Sequence, residues 1–283
     1  MNSKMFKRLI GSAFIVTVVS SDLFYNSSKL VYSEEFLEKD NLLGGLGERR
    51  KAMVVLGASG NFKRKRIMEE IKNEGTPPIY LKYVGDGIRE GSSIEIKMCN
   101  IVELDCECIV NAARPDLSGG GGVDGAIHCA AGWEKLVNAS KNALKLNNLS
   151  KISTGKAMLT GSCDLINKHK KTIKFIIHTV GPNVSGRRDN ITVEDKESLK
   201  NCYSNCLDLA KNNGIHSIAF PAISTLNYGF PSKLAADLSL EAINEWLGIN
   251  KDYEIRIILS CFNNRTYMAY KDAIKNNYDN FKS

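Results

Sequence analysis

The C-terminal two thirds of the chain alternates short apolar runs with longer segments whose apolar positions recur at helical spacing. SIEIKMCNI, from about residue 92, alternates apolar and polar positions and predicts a strand. CECIVNAA (106–113) is a short apolar run ending in polar residues and predicts another. GKAMLTGSCDL (155–165), IKFIIHTVGP (173–182), IHSIAFPAIST (215–225) and EIRIILSCF (254–262) also read as strands. The run at 173–182 is rich in β-branched residues and stops at Gly181-Pro182. Helical spacing appears in WEKLVNASKNALKL (133–146), EDKESLKNCYSNCLDLAKNNG (194–214), PSKLAADLSLEAINEWLG (231–248) and NRTYMAYKDAIKN (264–276). Gly214 suits a helix stop and Pro231 a first turn. VDGAIHCAAG, which begins within the glycine-rich stretch, can start a further helix.

Short apolar strands alternating with helices imply a mostly parallel sheet covered on both faces. Ligands of such sheets sit beyond the carboxyl ends of the strands. The polar and glycine-rich segments fall there: NAARPDLSGGGG after one strand, GPN after another, STLNYGF after a third and FNN after a fourth.

Upstream the texture differs. AMVVLGASGNF (52–62) reads as a strand and a turn, but its G-x-x-G lacks the third glycine of a dinucleotide fingerprint and is a weak nucleotide signal. KRKRIMEEIKNEG (63–75) has helical spacing, and its basic start, Lys63 to Arg66, is a solvated face or a binding patch. TPPIYLKYVGDG opens a new segment at two prolines. Residues 20–50 are mixed and polar, broken by Gly44, Gly45 and Gly47, and read as a linker. At the N-terminus, Lys4, Lys7 and Arg8 precede an apolar run from Leu9 to Val19 and then small polar residues, which is signal-peptide grammar. The run is short of the roughly 20 apolar residues of a membrane-spanning helix. The alternatives are a secreted protein, or a cytoplasmic one whose apolar run is buried in an extension. No stable membrane span is expected in the mature chain. The expected organisation is a leader over 1–28, an extension over 29–92 and one domain over 93–283.

Composition changes this picture little. Hydrophobic residues make up 43% and charged residues 24% of 283 positions, ordinary values for one substantial domain with an extension. The net charge of +7 suits an anionic ligand but is equally a solvated basic surface. A nucleic-acid-binding domain rests only on this charge and on Lys63–Arg66, so nucleic acid is not the expected partner. The eight cysteines are scattered through apolar runs without a C-x-x-C pair, which argues for buried thiols rather than a zinc site; no metal or cofactor is expected.

The stretch NAARPDLSGGGGVDGAIHCAAG (111–132) concentrates candidate chemistry. Backbone N–H groups of a glycine-rich turn can form an anion-binding nest, and a following helix adds its positive N-terminal end. Asp124 and His128 are four residues apart and share a helix face. Asp124 is either a ligand-facing carboxylate or a helix cap. His128 either assists Asp124 or is a satisfied, partly buried histidine. His178 lies in a strand interior and reads as structural.

GGGGVDGAIHCAAG, IIHTVGP and FPAIST…YGFP, in this order and spacing, make residues 94–280 resemble a macro domain of the MacroD-type ADP-ribose hydrolase family. The resemblance implies a three-layer α/β/α fold around a central mixed sheet of about six strands. It also implies an ADP-ribose cleft across the strand ends and a monomer acting on mono-ADP-ribosylated proteins. It assigns adenine contacts to Asn100, Ile101 and Phe262, the last by stacking, with core packing as the alternative for Phe262. Phosphate contacts fall to Gly120, Gly121, Gly122 and Val123 and to a second loop, Ser224, Thr225, Leu226, Asn227 and Tyr228. Asn111 and Asp124 would lie at the distal ribose, and Asn111, Asp124 and His128 would carry catalysis.

The chain departs from the family pattern in three places. Asn100 stands where an Asp accepts from the adenine amine; it can still accept, without charge assistance. Arg114 replaces the second Asn of N-A-A-N; it has no acceptor, and it either reaches a phosphate or swings out to solvent. Leu226 replaces a glycine of the phosphate loop and should force a different loop path. A hydrolase of ADP-ribose linked to acidic side chains, or a deacetylase of O-acetyl-ADP-ribose, therefore competes with an ADP-ribose reader of weak or no turnover.

Overall fold

The computed structural model describes residues 76, 78–83, 92–167, 172–277 and 281–282. The leader read over 1–28, the segments read over 52–75 and most of the 29–92 extension lie outside them. The strands are β1 (Ile79–Tyr83), β2 (Ser93–Met98), β3 (Cys108–Ala112), β4 (Ala157–Gly161), β5 (Phe175–Thr179), β6 (Ser217–Pro221), β7 (Arg256–Cys261) and β8 (Phe281–Lys282). The helices are α1 (Val123–Ala131), α2 (Trp133–Leu146), α3 (Val193–Asn212), α4 (Ser232–Ile249) and α5 (Asn264–Asn277).

One eight-stranded sheet runs in the order β4-β5-β3-β6-β7-β2-β1-β8. From β5 to β2 the strands are parallel. β4 is antiparallel at one edge, and β1 and β8 are antiparallel at the other. The six strands read from the pattern are β2 to β7. Two more extend the sheet. β1 follows the proline pair directly, and its alternation is visible once the fold is known: Leu81 is buried and Tyr80 exposed. β8 has two residues, too few to leave a period.

Along the inner strands, alternate residues serve opposite faces. Cys108, Val110, Ile177, Ile218, Phe220, Ile257 and Leu259 join the core beneath α3, α4 and α5. Ile109, Ile176, Ala219 and Ile258 join a second core with Ile127 and Ala131 of α1 and Leu136 of α2. A sheet apolar on both faces needs helices on both, hence three layers.

Local chemistry sets the element ends. The Thr192 side chain accepts from Asp195 N at 3.2 Å while the Asp195 carboxylate accepts from Thr192 N at 2.9 Å, a reciprocal cap that starts α3 at Val193. The run at 155–165 is not all strand. β4 ends at Gly161, and Cys163, at φ 52, turns the chain into a short 3₁₀ helix, Cys163–Asn167. All eight cysteines are free thiols, five of them buried. Among the described residues no helix is long and apolar enough to cross a membrane.

Candidate active site

The parallel strands deliver their carboxyl ends to one edge of the sheet. Beyond them lies a cleft of about 330 Å³, lined by Ala112–Pro115 and Gly120–Asp124 after β3, Gly181 after β5, and Ala222 and Ser224–Tyr228 after β6. Every residue expected at the phosphates is in this lining, and so are Arg114 and Asp124.

The glycine run does two jobs. Gly119 has φ +86, and a Cβ there would lie 2.6 Å from Trp133 Cζ2 and 3.1 Å from His128 Cδ2. Glycine is required at this position by packing inside the protein. Gly122 (φ 63, ψ −135) precedes α1 without a side-chain cap, and a Cβ on it would meet nothing within 4 Å. The first-turn N–H groups of α1 are thus uncapped beside open space, an arrangement that favours an anion.

Asp124, in that first turn, is buried, as are Asn111 on β3 and His128 on α1. Asn111 Nδ2 donates to Asp124 Oδ1 at 2.8 Å. His128 Nδ1 lies 3.0 Å from the same oxygen and 2.9 Å from the Asp124 carbonyl. Burial pulls the His128 pKa down, but hydrogen bonds and charge from Asp124 outweigh it, and the net shift is upward. Trp133 packs on the imidazole with ring centroids 5.0 Å apart. The other carboxylate oxygen, Oδ2, has no protein partner and faces Gly120, whose Cβ position is 3.1 Å away. Asn111 and His128 are not in the cleft wall; they grip Asp124 from behind.

His178, read as structural, is buried in β5 and joins this group: its Nδ1 is 3.2 Å from Asn111 Nδ2 and its Nε2 is 2.9 Å from Thr160 Oγ1 of β4. Burial, helped by the charge of His128, pushes its pKa down to about 3.

Arg114 does not swing away to solvent. Its stem packs on Gly120, with Cδ 3.2 Å from the Cβ position, and its Nε is 3.7 Å from Asp116 Oδ1. Arg114, Asp124 and Tyr228 all line the cleft; burial raises the pKa of the Tyr228 phenol, the Arg114 charge lowers it and the Asp124 charge raises it. In the loop after β6, positive φ falls at Ser224 (65) and Gly229 (73), not at Leu226. Leu226 is 56% exposed at the cleft lining, and the backbone makes its positive-φ turns at Ser224 and Gly229 instead. Val184 N donates to Tyr228 O at 2.8 Å, tying the loops after β5 and β6 together.

The adenine candidates divide. Ile101 has its side chain buried in the core with Ile109, Ile127 and Ile258, outside the cleft lining. It begins a 3₁₀ turn whose first residues must face inward to cover the sheet. Asn100 caps that turn, its Oδ1 accepting from Val102 N at 3.4 Å and its Nδ2 donating to Glu103 Oε1 at 3.2 Å. Phe262 is half-buried just beyond β7. The pairing of Met98 with Cys261 puts Asn100 and Phe262 at the same end of the sheet, outside the cleft lining.

A macro domain family model matches residues 110–239. The solved structure of the Oceanobacillus iheyensis macrodomain with ADP superposes with a TM-score of 0.59 at 35% identity, covering 71% of this chain and 97% of that one. The chain belongs to the macro domain family. Human ADP-ribose glycohydrolase MACROD2 is 37% identical over 253 residues, covering 87% of this chain and 54% of the relative. This macro domain protein thus spans about half the length of that relative. An O-acetyl-ADP-ribose deacetylase of Cronobacter turicensis is 36% identical over 178 residues, 63% of this chain and 93% of the relative.

Within the macro domain fold, sequence reasoning missed Gly181, Thr160 and Trp133 as parts of the site. The sequence places Gly181 within GPN at the ligand end of a strand without marking it as a contact, and the structure puts it in the cleft wall. Thr160 meets His178 from another strand and Trp133 packs on Gly119 and His128 from the next helix, contacts that no motif in the sequence marks.

Proposed function

We propose that this macro domain binds ADP-ribose in the cleft and hydrolyses bonds at its distal ribose, releasing mono-ADP-ribose from acidic side chains of proteins and acetate from O-acetyl-ADP-ribose. The observation that carries this reading is the asymmetry of Asp124. One oxygen is held by Asn111 and His128, and the other is buried, unpartnered and turned to the glycine run. A buried anion satisfied on one side alone is a strong acceptor for a hydroxyl or water.

In this reading Gly120–Val123 and Ser224–Tyr228 hold the pyrophosphate, Asn100 and Phe262 flank the adenine, and Asp124, held by Asn111, meets the distal ribose. Hydrolysis of an acyl-linked ADP-ribose adds the oxygen of water to the anomeric carbon and breaks its bond to the side-chain oxygen. The electron pair leaves with the carboxylate, one proton of the water stays on the new sugar hydroxyl and the other is released to solvent. Asp124 accepts the hydrogen bond of the water and stabilises positive charge developing at the sugar. For O-acetyl-ADP-ribose, water adds to the acyl carbon, the bond from that carbon to the sugar oxygen breaks, a proton of the water passes to that oxygen to leave a sugar hydroxyl, and the acetic acid formed loses its proton to solvent. His128 fixes the carboxylate in place.

The test is release of ADP-ribose from a mono-ADP-ribosylated protein carrying acidic linkages. Wild type should exceed Asp124→Ala by at least about a hundredfold; equal release defeats the hydrolase reading. Arg114 supports a second reading. A guanidinium with no acceptor stands in the cleft wall beside Asp124 and favours retention of an anionic ligand over handling of water. Saturable heat on titration with ADP-ribose, without turnover, is the signature of such a reader.

A further inference from the structure

Three adjacent strands, β4, β5 and β3, place Thr160, His178 and Asn111 in one line that ends at Asp124. We propose that His178 and Thr160 are positioning residues: they hold the Asn111 amide the way round that donates to Asp124 Oδ1, and so leave Asp124 Oδ2 for the ligand. This rests on the proposed role of Asp124 and adds to it a cause within the sheet.

The argument follows the hydrogens. The Asp124 carboxylate only accepts, so the Asn111 amide nitrogen that lies 2.8 Å from its Oδ1 must donate, and the NH2 end of the amide is the end that faces His178. His178 Nδ1, 3.2 Å from that amide nitrogen, must accept, so in the neutral ring Nε2 carries the hydrogen and donates to Thr160 Oγ1 at 2.9 Å. A neutral ring protonated at Nε2 has a bare Nδ1, which accepts from Asn111 Nδ2 at 3.2 Å. The second hydrogen of that amide nitrogen goes to Asp124 Oδ1 at 2.8 Å. The amide is thereby locked, and Asn111 Oδ1 is left buried with no protein partner, as is Asp124 Oδ2. Asp124 lines the cleft, so its Oδ2 is the acceptor that a sugar hydroxyl would use. The downward pKa shift of His178 keeps the ring neutral at physiological pH. If the other tautomer formed, an N–H on Nδ1 would face the Asn111 N–H groups. The amide would turn over, and Asp124 would lose a donor and face the Asn111 oxygen instead.

Two measurements test this. The first needs no substrate: long-range nitrogen-15 NMR of the wild-type chain, which has four histidines, assigned with His178→Gln. His178 should be neutral and protonated at Nε2 from pH 5 to 8. An Nδ1 tautomer or a protonated ring at pH 6 overturns the proposal whatever the activity. The second is a double-mutant cycle on turnover of O-acetyl-ADP-ribose. Thr160→Val should lower kcat about tenfold, the scale of one misdirected hydrogen bond, and Thr160→Ser should restore it. In an Asn111→Ala background Thr160→Val should cost nothing further. An equal loss in both backgrounds means a merely structural threonine and also overturns the proposal. Absence of turnover in wild type defeats the hydrolase reading instead. The cycle is then run on ADP-ribose affinity, with the same two outcomes.

Discussion

A Cβ on Gly181 would lie 2.1 Å from Ser224 Oγ and 2.6 Å from Ile223 Cγ2. The end of β5 and the loop after β6 are thus pressed together with no room for a methyl group. Ser224 cannot yield easily, because it is buried and already held at φ 65. Gly181→Ala should therefore destabilise the fold by about 1–3 kcal/mol, the usual cost of overpacking, and should open the loop. Denaturant unfolding and ADP-ribose calorimetry check it. Adding Ser224→Gly should recover part of both losses, since glycine removes the clashing hydroxyl and accepts the positive φ.

Asp124→Asn keeps shape and removes charge. With Asp124 acting on the reaction rather than on the phosphates, kcat should fall about a hundredfold or more while ADP-ribose affinity changes less than about tenfold. Steady-state kinetics beside calorimetry separates the two.

The two buried histidines of the site push stability in opposite directions with pH. Burial lowers the His128 pKa, but the Asp124 hydrogen bonds and charge raise it by more. Its stabilising effect is complete below the unfolded value of 6.5 and is lost as pH rises through the higher folded value. Burial lowers His178 to about 3, so below pH 6.5 the unfolded chain takes up a proton that the folded one refuses, and stability falls with acid. Their joint contribution should peak near pH 6.5, the shared unfolded value. Urea unfolding from pH 5 to 8 should show His178→Gln flattening the acidic side and His128→Gln the alkaline side.

Arg114 lines the cleft with its guanidinium about half-exposed, near Asp116 and the phenol of Tyr228. A cation there should strengthen binding of a doubly charged pyrophosphate, and salt should weaken that attraction. Arg114→Ala should cost about three- to tenfold in ADP-ribose affinity at low ionic strength and less at high salt. Calorimetry at two ionic strengths decides it.

Much of this was legible in the linear chain. Strands β2 to β7 and helices α2 to α5 announce themselves because a sheet buried on both faces needs unbroken apolar runs, and its covering helices need one apolar stripe. The glycine run and the Asp124–His128 spacing marked the site, since four residues of helix bring two side chains onto one face. β1 was hidden behind its prolines, and β8 was too short to show a period.

What the sequence determined by itself was therefore local: the period of each element, the loops at strand ends, and the helix face shared by Asp124 and His128. Only the tertiary structure decided how those pieces are used. It turned Ile101 into the core, laid Arg114 along the cleft wall, set Gly119 beneath Trp133, and drew Thr160, His178 and Asn111 from three strands into one line. Each of these depends on contacts between segments far apart in the chain, where the packing of the sheet and not the neighbouring residues sets which atoms meet.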